Sequence, residues 1–344
     1  MRAVVFGGAG TVRLEDVPEP KILDEGDAIV RVSRTAICGS DLHVLHGKTP
    51  GMREGGVIGH EFVGTVTDGP DDLTGRRVLG SFLIACGTCD FCTGGKFNFC
   101  RNRRALGLGA LTGDLDGAQA EFVRVPNAAL NLKALPDRLD DEHALFAGDI
   151  LATGFYAAAI SEITSTDIVA IFGAGPVGLF TGLAARRLGP ERVLLIDPDP
   201  QRVEFAREVY GFEALDTSEM APEAVVAGAT EGRMATVAID AVGVVPAVKS
   251  AMKVVRDGGR IAVVGVYGAE RYEIPMGVAW VRGIDLRFSG MANVHGTWDD
   301  ALSAIAAGEI DPTLAITHRL PLEDAVEGYA LFEAREAMKV VLEP

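Results

Sequence analysis

The chain has 344 residues, 48% of them hydrophobic, and a formal net charge of -16. That length exceeds what one compact core usually holds and favours two domains, while the hydrophobic share excludes disorder. The acidic balance excludes a nucleic-acid backbone or an anionic membrane as partner, because phosphate binding needs a basic stripe.

From residue 1 to about 150 the apolar runs are short and turn residues recur, in Val17-Pro-Glu-Pro20, Gly69-Pro-Asp-Asp72 and Thr112-Gly-Asp-Leu-Asp-Gly117. This texture predicts a mostly β domain with long functional loops. The opening Met-Arg-Ala-Val-Val-Phe-Gly enters a strand pattern with no leader of basic then apolar residues, and a cytoplasmic protein with reduced cysteines is expected. No uninterrupted apolar stretch reaches the ~20 residues of a membrane-spanning helix.

Two short motifs follow, Cys38-Gly-Ser40-Asp-Leu-His43 and Gly59-His60-Glu61. They supply a thiolate, an imidazole and nearby groups able to handle protons. Next come Cys86, Cys89, Cys92 and Cys100, with intervals of two, two and seven residues that suit one closed tetrahedral zinc site better than two disulfides. A structural zinc of this kind directs attention to a second, open metal site, of which Cys38 and His60 are candidate ligands. A third ligand must come from elsewhere, and Asp149 stands at the junction into the second half of the chain.

After Thr153 the pattern changes to alternating strand and helix. Strands are predicted at 168–172, 192–196, 236–240 and 260–265, with helices up to Leu188 and near 201–210 and 245–256. Repeated strand–helix–strand units predict a doubly wound parallel sheet covered on both faces. Gly173-Ala-Gly175-Pro-Val177-Gly178 follows a buried strand and opens a helix, the context in which this glycine pattern binds a dinucleotide pyrophosphate. Asp197, at the end of the next strand, suits the adenosine ribose hydroxyls and disfavours a 2′-phosphate, so NAD is expected over NADP. Arg202 stands close enough to bear on that choice. Helices at 298–307 and 323–333 and a strand at 339–342 complete the chain, with no internal repeat.

In combination these motifs resemble the zinc-dependent medium-chain alcohol dehydrogenases, over essentially the whole chain. The similarity is greatest to the bacterial branch that includes thermophilic alcohol dehydrogenases and relatives of formaldehyde dehydrogenase, in which aspartate serves as third catalytic-zinc ligand. The resemblance implies an α/β protein: a GroES-like catalytic domain over 1–152 with a structural-zinc lobe at about 84–102, a Rossmann domain over 153–287, and a segment 288–344 that returns to the catalytic domain. It implies two zinc ions per chain, one held by Cys38, His60 and Asp149 and one by the four clustered cysteines.

It further implies that Glu61 is a carboxylate able to enter the coordination sphere, Ser40 the hydroxyl that hydrogen-bonds the alcohol, and His43 the outer end of a proton relay. Thr153 and Val177 match residues packed on the nicotinamide, Phe82 a wall of the substrate pocket, and Arg202 a basic residue reaching the adenosine ribose. Lys339 falls near a pyrophosphate contact. The segment 65–78 is shorter than usual and carries Arg76 where Gly-Asp-Arg-Val normally stands, a departure that touches no ligand. The long insertion of the dimeric animal enzymes is missing, which favours a homotetramer.

The expected reaction is reversible hydride transfer between a primary or secondary alcohol and NAD+. A formaldehyde dehydrogenase or dismutase and a polyol dehydrogenase are the alternatives, and a member without catalysis has no need of the open ligand set. The alcohol itself is not legible. His46, His295 and Trp298 are left between a place in the cleft and a place on the surface.

Overall fold

The ten-residue run Ala28–Ile37, buried at every position but Arg31, Ser33 and Arg34, is the strand around which the first half of the chain is built. It pairs antiparallel with Glu61–Asp68, and also with Phe122–Val125 at its start and Val340–Glu343 at its end. Register shifts near Val30 and at Val32/Arg34 bend it, so that one sheet of seven strands curls around its own core. Val30, Val32, Phe62, Val66, Val78 and Val123 fill one side, while Val4, Ile37, Ile58, Tyr329 and Leu342 pack on another.

The computed structural model describes residues 1–268 and 272–344. They divide into two units, Met1–Ala152 with Asn293–Pro344, and Thr153–Ala292. In the first unit the C-terminal segment rejoins the N-terminal part through Val340–Glu343 and through Ala325–Glu333, a helix whose Tyr329 and Phe332 are buried. A small pair of strands, Leu83–Ile84 and Arg104–Ala105, forms the base of the cysteine lobe.

The second unit is the doubly wound sheet. Its six strands are all parallel and, numbered along the chain within the unit, lie in the order 3-2-1-4-5-6. Ile168–Phe172 is central and buried at every position, as a strand covered on both faces must be. Local signals set the flanking helices. Pro200 opens the helix Pro200–Tyr210 after Asp199, whose side chain accepts from Gln201 N at 3.0 Å, and Gly211 in the left-handed conformation closes it.

Two boundaries differ from expectation. The second unit extends to Ala292 rather than 287, because Asp285–Phe288 is its sixth strand and Ser289 N still donates to Val263 O. The fifth strand begins at Val255, ending the preceding helix at Val254, since Val255 pairs with Ala235 ahead of an irregularity that contains Gly258 and Gly259. Among the described residues no single helix is long and apolar enough to cross a membrane.

Candidate metal centres and nucleotide turn

Cys38 stands where the strand Ala28–Ile37 ends and the short helix Gly39–Leu45 begins. The Cys38 N–H donates to Asp41 Oδ2 at 2.9 Å, a capping bond across three residues that fixes the turn carrying the thiol. His60 precedes the strand Glu61–Asp68, and Asp149 occupies the break between the turn Phe146–Gly148 and the helix Ile150–Ile160. Three distant segments therefore meet in the first unit.

The ligand atoms of Cys38, His60 and Asp149 all lie within 4.8 Å of one another. Cys38 Sγ is 3.6 Å and His60 Nε2 3.3 Å from Asp149 Oδ2. Zinc bonds of ~2.0–2.3 Å in a tetrahedron separate neighbouring ligand atoms by roughly 3.3–3.8 Å, so the set fits such an ion with a fourth position open. All three residues are buried. Burial, then the Asp149 and Glu61 carboxylates, push the Cys38 thiol above its ordinary range, as expected of an anionic donor set built around a cation. Burial opposes the charged form of His60, yet Asp41 and Asp149 hold its pKa well above the ordinary value.

Ser40 Oγ lies 3.0 Å from His60 Nε2, beside the ligand cluster. His43, one turn further along the same helix, is half-buried, and no direct hydrogen bond joins the two among the described residues. The pKa of His43 is lowered by burial and by the neighbouring Lys48 and His46. Phe82 is buried with its ring edge-on to His60 at 6.1 Å between centroids.

Glu61 is fully buried, and its carboxyl is raised to about 6, chiefly by desolvation. One of its oxygens pairs with Lys339, while Oε1 has no hydrogen-bond partner among the described residues, leaving a carboxylate oxygen able to turn toward a metal. Lys339, expected near a pyrophosphate, is only 1% exposed and is committed to Glu61 inside the first unit. Its position in the apolar run Met338-Lys-Val-Val-Leu342 signals burial but not the anion it serves.

The second cluster is the cysteine lobe. Cys86 Sγ and Cys92 Sγ stand 4.0 Å apart, Cys89 and Cys92 3.6 Å, and all four sulfurs fall within 4.8 Å of one another. None forms a disulfide. The spacing fits four zinc–sulfur bonds of ~2.3 Å. Hydrogen bonds from Thr88 bring the Cys86 thiol down to about 6, while burial drives Cys92 up to about 12, so the four cannot all ionise without a cation among them.

In the second unit the glycine turn joins Ile168–Phe172 to the helix Pro176–Arg187. Gly173 has φ +98°, and a Cβ on Gly178 would stand 1.8 Å from Gly173 O, so only glycine permits this closeness of helix to strand. Asp197 ends the neighbouring strand, and its carboxylate accepts from Ala174 N at 2.8 Å and Asp199 N at 2.9 Å. Arg202 reaches over the turn, with Nη1 3.4 Å from where a Gly175 Cβ would lie. Val177 is half-buried in the first turn of the helix, and Thr153 is half-buried within Ile150–Ile160.

The remaining candidates separate clearly. His295 and Trp298 are buried together, and His46 is on the surface, paired with Glu333 at 2.5 Å. Asp41 is marked in the sequence only by its interval from Cys38, that of a capping residue. Gln119 and Tyr329 carried no signal.

Comparison with known proteins gives a consistent result. Residues 24–137 match the alcohol dehydrogenase GroES-like domain and residues 176–307 the zinc-binding dehydrogenase family. An uncharacterized zinc-type alcohol dehydrogenase-like protein of Bacillus subtilis is 34% identical over 100% of both chains. Among solved structures, the alcohol dehydrogenase TADH from Thermus sp. ATN1 is 40% identical with a TM-score of 0.96, each chain covered in full. A putative zinc-binding dehydrogenase from Sinorhizobium meliloti, bound to NADP, is 30% identical with a TM-score of 0.84, over 100% of this chain and 99% of that one.

Proposed function

The chain belongs to the zinc-dependent medium-chain alcohol dehydrogenase family, and from that premise we propose that it interconverts a primary or secondary alcohol and the corresponding aldehyde or ketone, with NAD+ and NADH as hydride acceptor and donor. The observation that carries this reading is the convergence of Cys38, His60 and Asp149, all buried, beside the Ser40 hydroxyl. A zinc ion held there would supply Lewis acidity to the substrate oxygen, and NAD+, when bound, would be the hydride acceptor.

The protein's own groups do the rest. Cys38, His60 and Asp149 offer three ligand atoms and leave room for a fourth. Ser40 Oγ would accept a hydrogen bond from the hydroxyl of the alcohol, and can take that proton only as it gives up its own. His43, uncharged at neutral pH because its pKa is lowered, can carry a proton from the helix to solvent. Phe82 supplies an apolar wall next to His60.

Asp197 favours NAD. Its carboxylate stands at the end of the second strand beside the glycine turn, where it would accept from ribose hydroxyls and repel a 2′-phosphate. The Sinorhizobium meliloti relative holds NADP, so kinship leaves the choice of cofactor to residues of this kind. Two zinc ions per chain are part of the proposal, supported by the two donor clusters.

Metal analysis of the purified protein, with the Asp149→Ala variant alongside, tests the reading. Two zincs per chain are expected in the parent and one in the variant, with alcohol oxidation abolished and NADH binding retained. Alcohol turnover by Asp149→Ala would show that the ligand set is wrong. A panel of short aliphatic, benzylic, secondary and polyol alcohols then identifies the substrate class.

A further inference from the structure

We propose that Gln119 and Tyr329 are positioning residues of the catalytic metal site, holding His60 in place through Asp41. The inference rests on the reading of Cys38, His60 and Asp149 as that site. Asp41 is fully buried, and its Oδ2 accepts from Cys38 N at 2.9 Å and from Gln119 Nε2 at 3.2 Å. Its Oδ1 is left facing His60 Nδ1 at 3.2 Å, and neither of those atoms has a hydrogen-bond partner elsewhere among the described residues. Asp149 faces Nε2 at 3.3 Å, so with a metal shared by Cys38 and Asp149 the carboxylate of Asp41 keeps the ring proton on Nδ1 and leaves the lone pair of Nε2 for the ion.

Gln119 is itself fixed in one orientation. Its Nε2 also donates to the Ala36 carbonyl at 3.2 Å, and its Oε1 accepts from the Tyr329 hydroxyl at 2.8 Å. A flipped amide would set its oxygen against two acceptors, the Ala36 carbonyl and Asp41. Tyr329 is 2% exposed on the C-terminal helix Ala325–Glu333, 210 residues from Gln119. The Gln119 stem also lies on Gly59. That residue has φ +87°, and a Cβ there would meet Gln119 Cγ at 2.3 Å. Gln119 thus constrains His60 twice, through the imidazole by way of Asp41 and through the backbone just before it. In such a chain each buried group satisfies the next, and removing one orphans its neighbour.

The test is chelator-driven metal release from the zinc-loaded full-length protein, followed by a chromogenic zinc indicator, together with visible spectra of the cobalt-loaded protein. Cys38→Ser should retain one metal and so identify the catalytic one. Gln119→Met should release that metal about tenfold faster, while release from the four-cysteine site stays at the parent rate. Tyr329→Phe should shift in the same direction by a smaller factor, and both variants should alter the cobalt d–d bands. Parent release rates and unchanged bands in a Tyr329→Phe protein with the parent melting temperature would overturn the proposal, including when Gln119→Met fails to fold. If Asp41→Asn speeds release and the other two do not, the chain of influence ends at Asp41 and the proposal fails, but the metal site stands. If Cys38→Ser retains both metals, the site reading fails and the inference with it.

Discussion

His295 makes the most quantitative forecast about stability. Its Nε2 lies 2.8 Å from Asn131 Oδ1, and the Asn131 amide is oriented by donating Nδ2 to the carbonyls of Ala85, Pro126 and Asn127. The ring proton therefore sits on Nε2. Nδ1 is buried with no partner among the described residues, between Phe97 and Trp298 at centroid distances of 4.9 and 5.0 Å. Protonation would place a new N–H in that aromatic setting with nothing to accept it, and burial accordingly lowers the pKa from 6.5 to about 4.

In the unfolded chain the same imidazole takes up its proton near the ordinary value. Between pH 6.5 and 4 the unfolded state thus holds one proton more than the folded state, and stability falls by ~1.4 kcal/mol for each unit of acidification. The contribution is fully present above that window, and its complete loss amounts to ~3 kcal/mol. Between pH 7.5 and 5 the expected loss is about 2 kcal/mol. Urea unfolding of the zinc-loaded parent and of His295→Gln at those two pH values isolates the effect, because every other titrating group, metal ligands included, is common to both. The parent should lose about 2 kcal/mol more than the variant. Parallel pH profiles would mean that His295 is protonated in the folded protein and that the packing argument is wrong.

Three further outcomes are expected. Lys339→Met should destabilise the protein by ~3–5 kcal/mol, since it leaves the fully buried Glu61 without its ammonium, and Glu61→Gln/Lys339→Met should recover most of the loss in urea unfolding; a double variant no better than the single one would show that the two residues are not coupled. Asp197→Ala should narrow the NAD over NADP preference in kcat/KM, and an unchanged ratio would assign the preference to another residue. Light scattering should give the mass of four 36.2-kDa chains, and a two-chain mass would overturn the tetramer.

The sequence by itself determined the elements whose cause is local. Four cysteines within fifteen residues carry their own ligand geometry, and the glycine turn at 173–178 carries its own backbone requirement. The central strands of the parallel sheet were legible because Ile168–Phe172, Arg192–Asp197 and Ala235–Asp240 carry short apolar runs, whereas the outer strands Glu213–Asp216 and Asp285–Phe288 are half charged and carry no such signal. The expected strand at 260–265 misplaced its start because pairing with Ala235, a tertiary event, draws Val255 into the strand ahead of Gly258 and Gly259.

Only the tertiary structure decided the company each site residue keeps. Lys339 looks in sequence like a free cation for a phosphate, yet it lies 278 residues from the carboxylate it neutralises. Gln119 and Tyr329 are ordinary residues in ordinary segments until folding sets them in line with Asp41 and His60. The reason is physical. A ligand type is recognisable from its own chemistry, but the burial of a polar group is stabilised only by partners that complete its hydrogen bonds, and those partners are chosen by proximity in space with no regard to distance along the chain.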